Sequence, residues 1–322
     1  MKAIVYHRYG SPDVLELKEI DTPAVEDGQV LIRVHAASVN PLDWHFMRGL
    51  PYLVRIKAGL RRPKVSRLGA DVAGQVESVG KNVTRFQPGD EVFGACTGAF
   101  AEYACASESA LAPKPANVTF EQAAAVPVAA LSALQGLRDK GRIQPGQKVL
   151  INGAAGGVGT FAVQIAKVFG ADVTGVCSTR NVEMVRSIGA DQVIDYTQED
   201  FTKSGRRYDL ILDSVGNHSL SGFRRALTAE GTLVLVGGPD SGRWVGPLMG
   251  MLKAVVLSRF VSQKLLPFLA KRSKDDLIVL KELIEAGKVI PIIDRRYPLS
   301  EVPEAIRYLE EGHARGKVVI TA

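Results

Sequence analysis

Cysteine is scarce: Cys96, Cys105 and Cys177 are the only three in a chain of 322 residues. None belongs to a Cys-x-x-Cys pair, which excludes a disulfide framework and leaves the three to be read as small buried hydrophobes. No apolar run is long enough to span a bilayer. The opening "MKAIVYHRYG" lacks the basic-then-apolar layout of a secretory signal, so the cytoplasm is the expected location. Internal repeats and low-complexity tracts are missing as well. The net charge is +6, yet no helix-turn-helix pattern, zinc finger or RNP-type aromatic motif accompanies it. A solvated basic surface is expected, with no nucleic-acid partner.

What is present is an ordinary globular composition, 46% hydrophobic and 23% charged, in a length that suggests two domains. The first third reads as short strands separated by Gly and Pro-Gly turns: "KAIVYH", "QVLIRVHAASV" (Gln29 to Val39), "DVAGQVESVG", "DEVFGA" and "AFAEYACA". Thr119 with Gln122 forms a capping-box pattern that opens the helix "FEQAAAV". From about Lys148 strands and helices alternate. The runs "KVLIN", "ADVTGVC", "QVIDY", "YDLILDSV" and "TLVLVG" have the continuous apolar character of parallel strands buried on both faces. Two amphipathic helices follow, "DLIVLKELIEAGKV" and "EVPEAIRYLEEG", closed by Gly287 and Gly312. A last strand, "GKVVITA", is suited to return to the N-terminal domain. The expected division is residues 1–122 with 264–322 in one discontinuous domain, and residues 123–263 in the other.

The stretch "VLINGAAGGVGTFAVQIAKVFG" places Gly153, Gly156, Gly157 and Gly159 between a strand and a helix. Val158, Ala162, Ile165, Ala166 and Phe169 recur at helical spacing, and Gly170 closes the helix. Side chains in such a turn would block close approach to its backbone. The helix start carries unpaired N–H groups and partial positive charge, so a diphosphate is the natural guest. In a β-α-β unit this pattern predicts a dinucleotide site. The second strand ends without a carboxylate for the adenosine ribose; Ser178, Thr179 and Arg180 stand there instead. Two hydroxyls and a guanidinium suit a phosphate, which selects NADPH over NADH.

The segment "AAAVPVAALSALQGLRDKGRIQPGQKVLINGAAGGVGTFAVQIAKVFGADVTGV", together with "ASVNPLDW", "LGADVAGQVESVG", "GDEVFG" and "HARGKVVI", resembles the medium-chain dehydrogenase/reductase superfamily over nearly the whole chain. It is most similar to the zinc-independent quinone oxidoreductase (zeta-crystallin-like) and enone reductase branch. The resemblance implies a Rossmann-type doubly wound parallel sheet beside a β-rich GroES-like catalytic domain. Zinc alcohol dehydrogenases of the superfamily use a cysteine where this chain has Asn40, and a Gly-His-Glu element where it has Gly69-Ala70-Asp71. Neither Asn nor Ala replaces thiolate or imidazole as a zinc ligand.

The implied chemistry is therefore metal-free hydride transfer from NADPH to a quinone or an α,β-unsaturated carbonyl, whose delocalised charge needs only hydrogen-bond donors. A zinc-less alcohol dehydrogenase-like enzyme and a non-enzymatic NADPH-binding, membrane-associated protein are the alternatives. The resemblance assigns Asn40 as a donor to the developing oxyanion and Asp43 as an orienting group. It puts His45 where many quinone reductases carry a tyrosine. Ser132 is implied near the nicotinamide, with Gly153, Ala154, Gly156, Gly157, Val158 and Gly159 on the diphosphate. Tyr196 is implied near the adenosine, Val236, Gly237 and Gly238 along the cofactor, and Lys317 near its phosphates. The apolar and basic segment Gly242 to Asp276 is read as a lid, a membrane contact or a subunit contact. A homodimer is expected.

Overall fold

The computed structural model describes residues 1–237, 254, 256–258 and 260–322. Two compact units are present: Met1–Ala129 with Arg272–Gly287 and Pro291–Ala322, and Ala130–Lys271 with Lys288–Ile290. The chain begins with β1 (Lys2–Val5), β2 (Glu16–Glu19) and β3 (Gln29–Val39), then helices α1 (Pro41–Arg48) and α2 (Val54–Ala58). Strands β4 (Asp71–Val79), β5 (Glu91–Ala95), β6 (Tyr103–Ser107) and β7 (Leu111–Pro113) lead to α3 (Phe120–Ala124) and α4 (Pro127–Gln135). The second unit runs through β8 (Lys148–Asn152), α5 (Gly157–Val168), β9 (Asp172–Cys177), α6 (Val182–Ser187) and β10 (Gln192–Asp195). It continues with β11 (Tyr208–Asp213), α7 (Leu220–Ala226), β12 (Leu227–Leu235) and β13 (Lys264–Pro267). The chain returns to the first unit with α8 (Lys274–Glu285), β14 (Ile293–Pro298), α9 (Val302–Glu310) and β15 (Lys317–Thr321).

In the β-rich unit, β3 is the central strand. Along one edge it pairs antiparallel with β4; along the other, its first half pairs with β6 and its second half with β15. The sheet order is β14-β15-β3-β4-β5-β7, with β6 beside β3. The C-terminal strand thus completes the sheet begun by the N-terminal third, and β15 also pairs parallel with β14. Ile4, Ile32, Val72, Phe100, Ile306 and Val318 pack in one buried cluster, each such side chain contributing roughly 1.5–3 kcal/mol of hydrophobic stabilisation.

The second unit is a six-stranded, wholly parallel sheet in the order β10-β9-β8-β11-β12-β13. Counted from β8, the strand order reverses between β8 and β11, the arrangement of a doubly wound nucleotide-binding sheet. The apolar runs that predict parallel strands account for β8 to β12. The capping box is in place: Gln122 N donates to Thr119 Oγ1 at 3.3 Å and Thr119 N to Gln122 Oε1 at 3.1 Å. Its helix is shorter than the sequence suggests, because the chain breaks after Ala124 before α4 begins at Pro127.

No helix among the described residues is long and apolar enough to cross a membrane. Of the segment Gly242 to Asp276, residues 242–253, 255 and 259 lie outside the described residues, as does Gly238; the remainder includes β13 and the start of α8.

Candidate active site

Two groups of the expected residues come together, one in each unit. In the β-rich unit Asn40 ends β3 and caps α1, with Pro41 in the first helical turn and Asp43 at N3. The Asp43 carboxylate accepts from Asn40 N at 2.8 Å and from Gly69 N at 3.1 Å. Asn40 Nδ2 donates to Asp71 Oδ2 at 2.9 Å and to the Ser38 carbonyl at 3.3 Å. Its Oδ1 accepts from Lys317 Nζ at 2.5 Å. Asp71 also accepts from Ser38 Oγ at 2.6 Å and from Val128 N at 2.9 Å. All five side chains are buried, none more than 3% exposed.

This geometry corrects the role expected of Asn40. Both hydrogens of its amide are directed at protein acceptors, so it has no N–H to offer a substrate oxygen. Lys317 likewise differs from expectation: its ammonium is held by Asn40 and Asp71, not presented to a phosphate. Two members of the cluster, Ser38 and Asp71, are missed as site residues by the sequence reading. The Asn-Pro-x-Asp spacing carried a local signal for a capped helix; the pairing of Lys317 with Asn40, 277 residues apart, carried none.

Burial pushes the Asp43 carboxyl up to about 7, against the opposing pull of the Asn40 and Gly69 N–H groups. Burial also lowers the Lys317 ammonium, and Asp71 and Asp43 partly restore it. His45, on α1, is half-buried. Its Nδ1 lies 3.0 Å from the Leu50 carbonyl; a carbonyl only accepts, so Nδ1 carries the hydrogen. Its ring lies 3.7 Å from that of Trp44.

In the parallel unit the expected residues gather at the C-terminal ends of the strands. Gly153 has φ +84°, and a Cβ there would lie 2.6 Å from Ser214 Oγ. A Cβ on Gly159 would lie 2.0 Å from the Gly153 carbonyl oxygen. These two glycines let the helix start close against its own turn. Gly156 differs: a Cβ there would meet only the Gly153 oxygen, at 3.4 Å. Gly156 is the N-cap of α5 and carries no capping side chain. Gly156, Gly157 and Val158 are partly exposed, whereas Ala154 and Gly159 are buried. The opening amides of α5 therefore face an open cradle, and the turn fits a diphosphate.

Beside that turn, β9 delivers Ser178, half-buried, and the exposed Thr179 and Arg180. Tyr196 follows β10 and is 53% exposed. The end of β10 also supplies a carboxylate, Asp195, that the reading of β9 alone does not find. Its oxygens accept from Thr179 Oγ1 at 2.6 Å and from Thr197 Oγ1 at 2.8 Å. These and neighbouring hydrogen bonds hold it below the usual carboxylate range, with the Thr179 bond the largest cause. On the other side of the turn, buried Asp213 accepts from Asn152 Nδ2 at 2.8 Å and from the amides of Val215 and Gly216. Val236 N and Gly237 N donate to the Asp213 carbonyl at 2.9 and 3.2 Å. Loops after three strands are thereby locked together. Ser132 is buried in α4.

Residues 26–116 match the family model described as the alcohol dehydrogenase GroES-like domain, and residues 188–320 that described as zinc-binding dehydrogenase. The chain is 37% identical to the mitochondrial NAD(P)H oxidoreductase RTN4IP1 of Mus musculus, over 99% of this chain and 89% of that protein. It is 36% identical to the chloroplastic NADPH-dependent alkenal/one oxidoreductase of Arabidopsis thaliana, over 99% and 79%. The crystal structure of Escherichia coli quinone oxidoreductase complexed with NADPH superimposes with a TM-score of 0.85 at 26% identity, covering 100% of both chains.

Asp43 generates a stability prediction. Its folded-state value lies above the about 3.9 of an unfolded aspartate. The folded protein therefore holds a proton that the unfolded chain has lost between about pH 4 and about pH 7, and stability contributed by this group declines as pH rises through that window. Asp43→Asn cannot ionise and should flatten the decline. Urea unfolding of both proteins at about pH 5 and about pH 8 measures it; an equal loss in the two proteins would contradict the assignment.

Proposed function

The chain belongs to the quinone oxidoreductase and enone reductase branch of the medium-chain dehydrogenase/reductase superfamily, and we propose that it reduces a quinone or an α,β-unsaturated carbonyl with NADPH, without a metal. The observation that carries the cofactor side is the open cradle at Gly156, with Ser178, Thr179 and Arg180 at the adjoining strand end. Bound NADPH supplies hydride. The chain's own residues bind and orient it: the amides that open α5, at Gly157 and Val158, for the diphosphate, with Gly153, Ala154, Gly156 and Gly159 shaping the turn, where Ala154 N and Gly156 N already donate to the Val176 and Gly153 carbonyls. Ser178 and Arg180 serve the 2′-phosphate, and Thr179, whose hydroxyl donates to Asp195, lines the rim between them. Tyr196 flanks the adenosine, Val236 and Gly237 follow the cofactor, and Ser132 serves the nicotinamide end. Asp195 has its oxygens occupied by the Thr179 and Thr197 hydroxyls, which leaves Ser178 and Arg180 as the donors at this strand end.

Zinc does not fit the donor set. Asn40 and Ala70 offer neither thiolate nor imidazole. Asp71, the carboxylate at that place, is bonded to Ser38, Asn40 and Val128, with Lys317 Nζ at 3.5 Å. A divalent cation there would meet a buried ammonium. Reduction of a conjugated acceptor consumes one hydride and one proton. His45 is the group we assign to deliver that proton: with Nδ1–H held by the Leu50 carbonyl, a protonated ring gives its Nε2 proton to the acceptor and regains one from solvent. Asn40 and Asp43 shape the first turn of the helix that carries it.

A homodimer is supported by β13, the last strand of the sheet order among the described residues. Leu269 and Phe260 beside it are 86% and 81% exposed, and an edge strand flanked by apolar side chains is a template for pairing.

Three measurements test this reading. NADPH consumption across a panel of quinones, alkenals and cyclic enones should exceed alcohol oxidation with NADP⁺; efficient alcohol oxidation with stoichiometric zinc would overturn it. Arg180→Glu should weaken NADPH binding by about tenfold or more while NADH binding changes by less than about twofold; equal losses would remove Arg180 from the phosphate. Leu269→Lys should sediment as a monomer where the parent protein is a dimer, and an unchanged species would place the subunit contact elsewhere.

A further inference from the structure

Lys317 sits on β15, between the strands of the β-rich sheet, and is 3% exposed. Each hydrogen of its ammonium has a protein oxygen to meet: Asn40 Oδ1 at 2.5 Å, the Val39 carbonyl at 3.3 Å and Asp71 Oδ2 at 3.5 Å. An ammonium only donates. Its contact therefore fixes which end of the Asn40 amide faces it, and turns the NH₂ toward Asp71 and the Ser38 carbonyl. Asn40 is in turn the N-cap of α1, tied to Asp43 through the capping box, and Asp43 is tied to Gly69. A side chain from the last strand of the chain thus sets the first turn of the helix that bears His45.

We propose that Lys317 is a positioning residue for the reduction assigned above: through the Asn40 amide it holds the start of α1 in the pose the reaction uses, and it takes no part in binding the phosphates of NADPH. The inference rests on that reduction as the reaction. It differs from a charge-neutralising role alone, in which Lys317 would only offset Asp71, and from a cofactor contact, in which NADPH affinity would depend on it.

The test uses the full-length protein as Lys317→Met and as the double variant Lys317→Met/Asp71→Asn, which removes both charges and guards against a misfolded single variant. Positioning predicts that kcat with a quinone or alkenal acceptor falls about 10²-fold, while acceptor KM and NADPH Kd stay within about threefold. The double variant regains the thermal stability lost by the single one and remains slow. In nuclear magnetic resonance spectra the Asn40 side-chain amide, assigned through Asn40→Asp, exchanges with solvent faster in both variants than in the parent. An unchanged kcat, a fall in NADPH affinity that matches the fall in kcat, or recovery of kcat in the double variant would each overturn the proposal. The two layers separate cleanly: a parent protein that reduces no acceptor overturns the reaction, whereas unaltered Asn40 exchange in Lys317→Met overturns the role of Lys317.

Discussion

One buried ammonium joins parts of the β-rich unit that lie far apart in the chain. Lys317 arrives on β15, between β14 and β3, and meets Asn40 from the end of β3 and Asp71 from the start of β4. Taking a carboxylate and an ammonium out of water costs several kcal/mol per ion, recovered only when geometry and surrounding hydrogen bonds are good. Here they are: Asp71 accepts from a hydroxyl, an amide side chain and a backbone N–H in addition to the Lys317 contact. A chain without β15 would deprive that carboxylate, and Asp43 beside it, of the ammonium that faces them. Return of the C-terminal strand is therefore an electrostatic requirement as well as a completion of the sheet.

The parallel unit solves a different problem with backbone in place of side chains. Its glycines divide their work. Gly153 and Gly159 let the turn and the helix start approach each other, while Gly156 keeps the amide face open. Asp213 then fixes the neighbouring loop by accepting from Asn152 and from two backbone amides. A carboxylate so placed has no reason to reach a ligand; it holds the ends of β8 and β11 in register. Positive potential at the helix start remains uncompensated by any side chain of the turn, the condition an anionic group requires.

The parallel sheet is legible in the sequence because strands buried on both faces must be continuously apolar, and "KVLIN" and "YDLILDSV" are. The glycine turn is legible because its spacing follows from local backbone geometry. Strand β14, "IDRRYP", is not: a polar edge strand carries no alternation, and its place is set by pairing with β15. Helix α1 is half legible: Asn-Pro favours a turn, while the same Asn-Pro-x-Asp residues signal an N-cap and a first-turn proline, which the structure has. Least legible is the Lys317 cluster. Each member looks unremarkable alone, and only the tertiary fold, which joins β15 to β3 and β4, makes them neighbours. The resemblance to known enzymes points to Asn40 and Lys317, and only packing supplies their partners.

The nature of the buried cation bears on which acceptors suit the site. A metal ion accepts an oxygen lone pair and can gather a full alkoxide charge on one atom. An ammonium whose three hydrogens are already directed at Asn40, Val39 and Asp71 can do neither. Its influence is exerted through the parts it holds and through its charge. In the proposed reaction the acceptor itself must therefore spread the charge that hydride delivers. A quinone does so over its ring and second carbonyl, an enone over its enolate, whereas an isolated ketone cannot. In the metal-free reaction proposed above, Asn40 and Ala70 in place of thiolate and imidazole, and Lys317 against Asp71, thus act in one direction: they favour substrates that spread the delivered charge themselves.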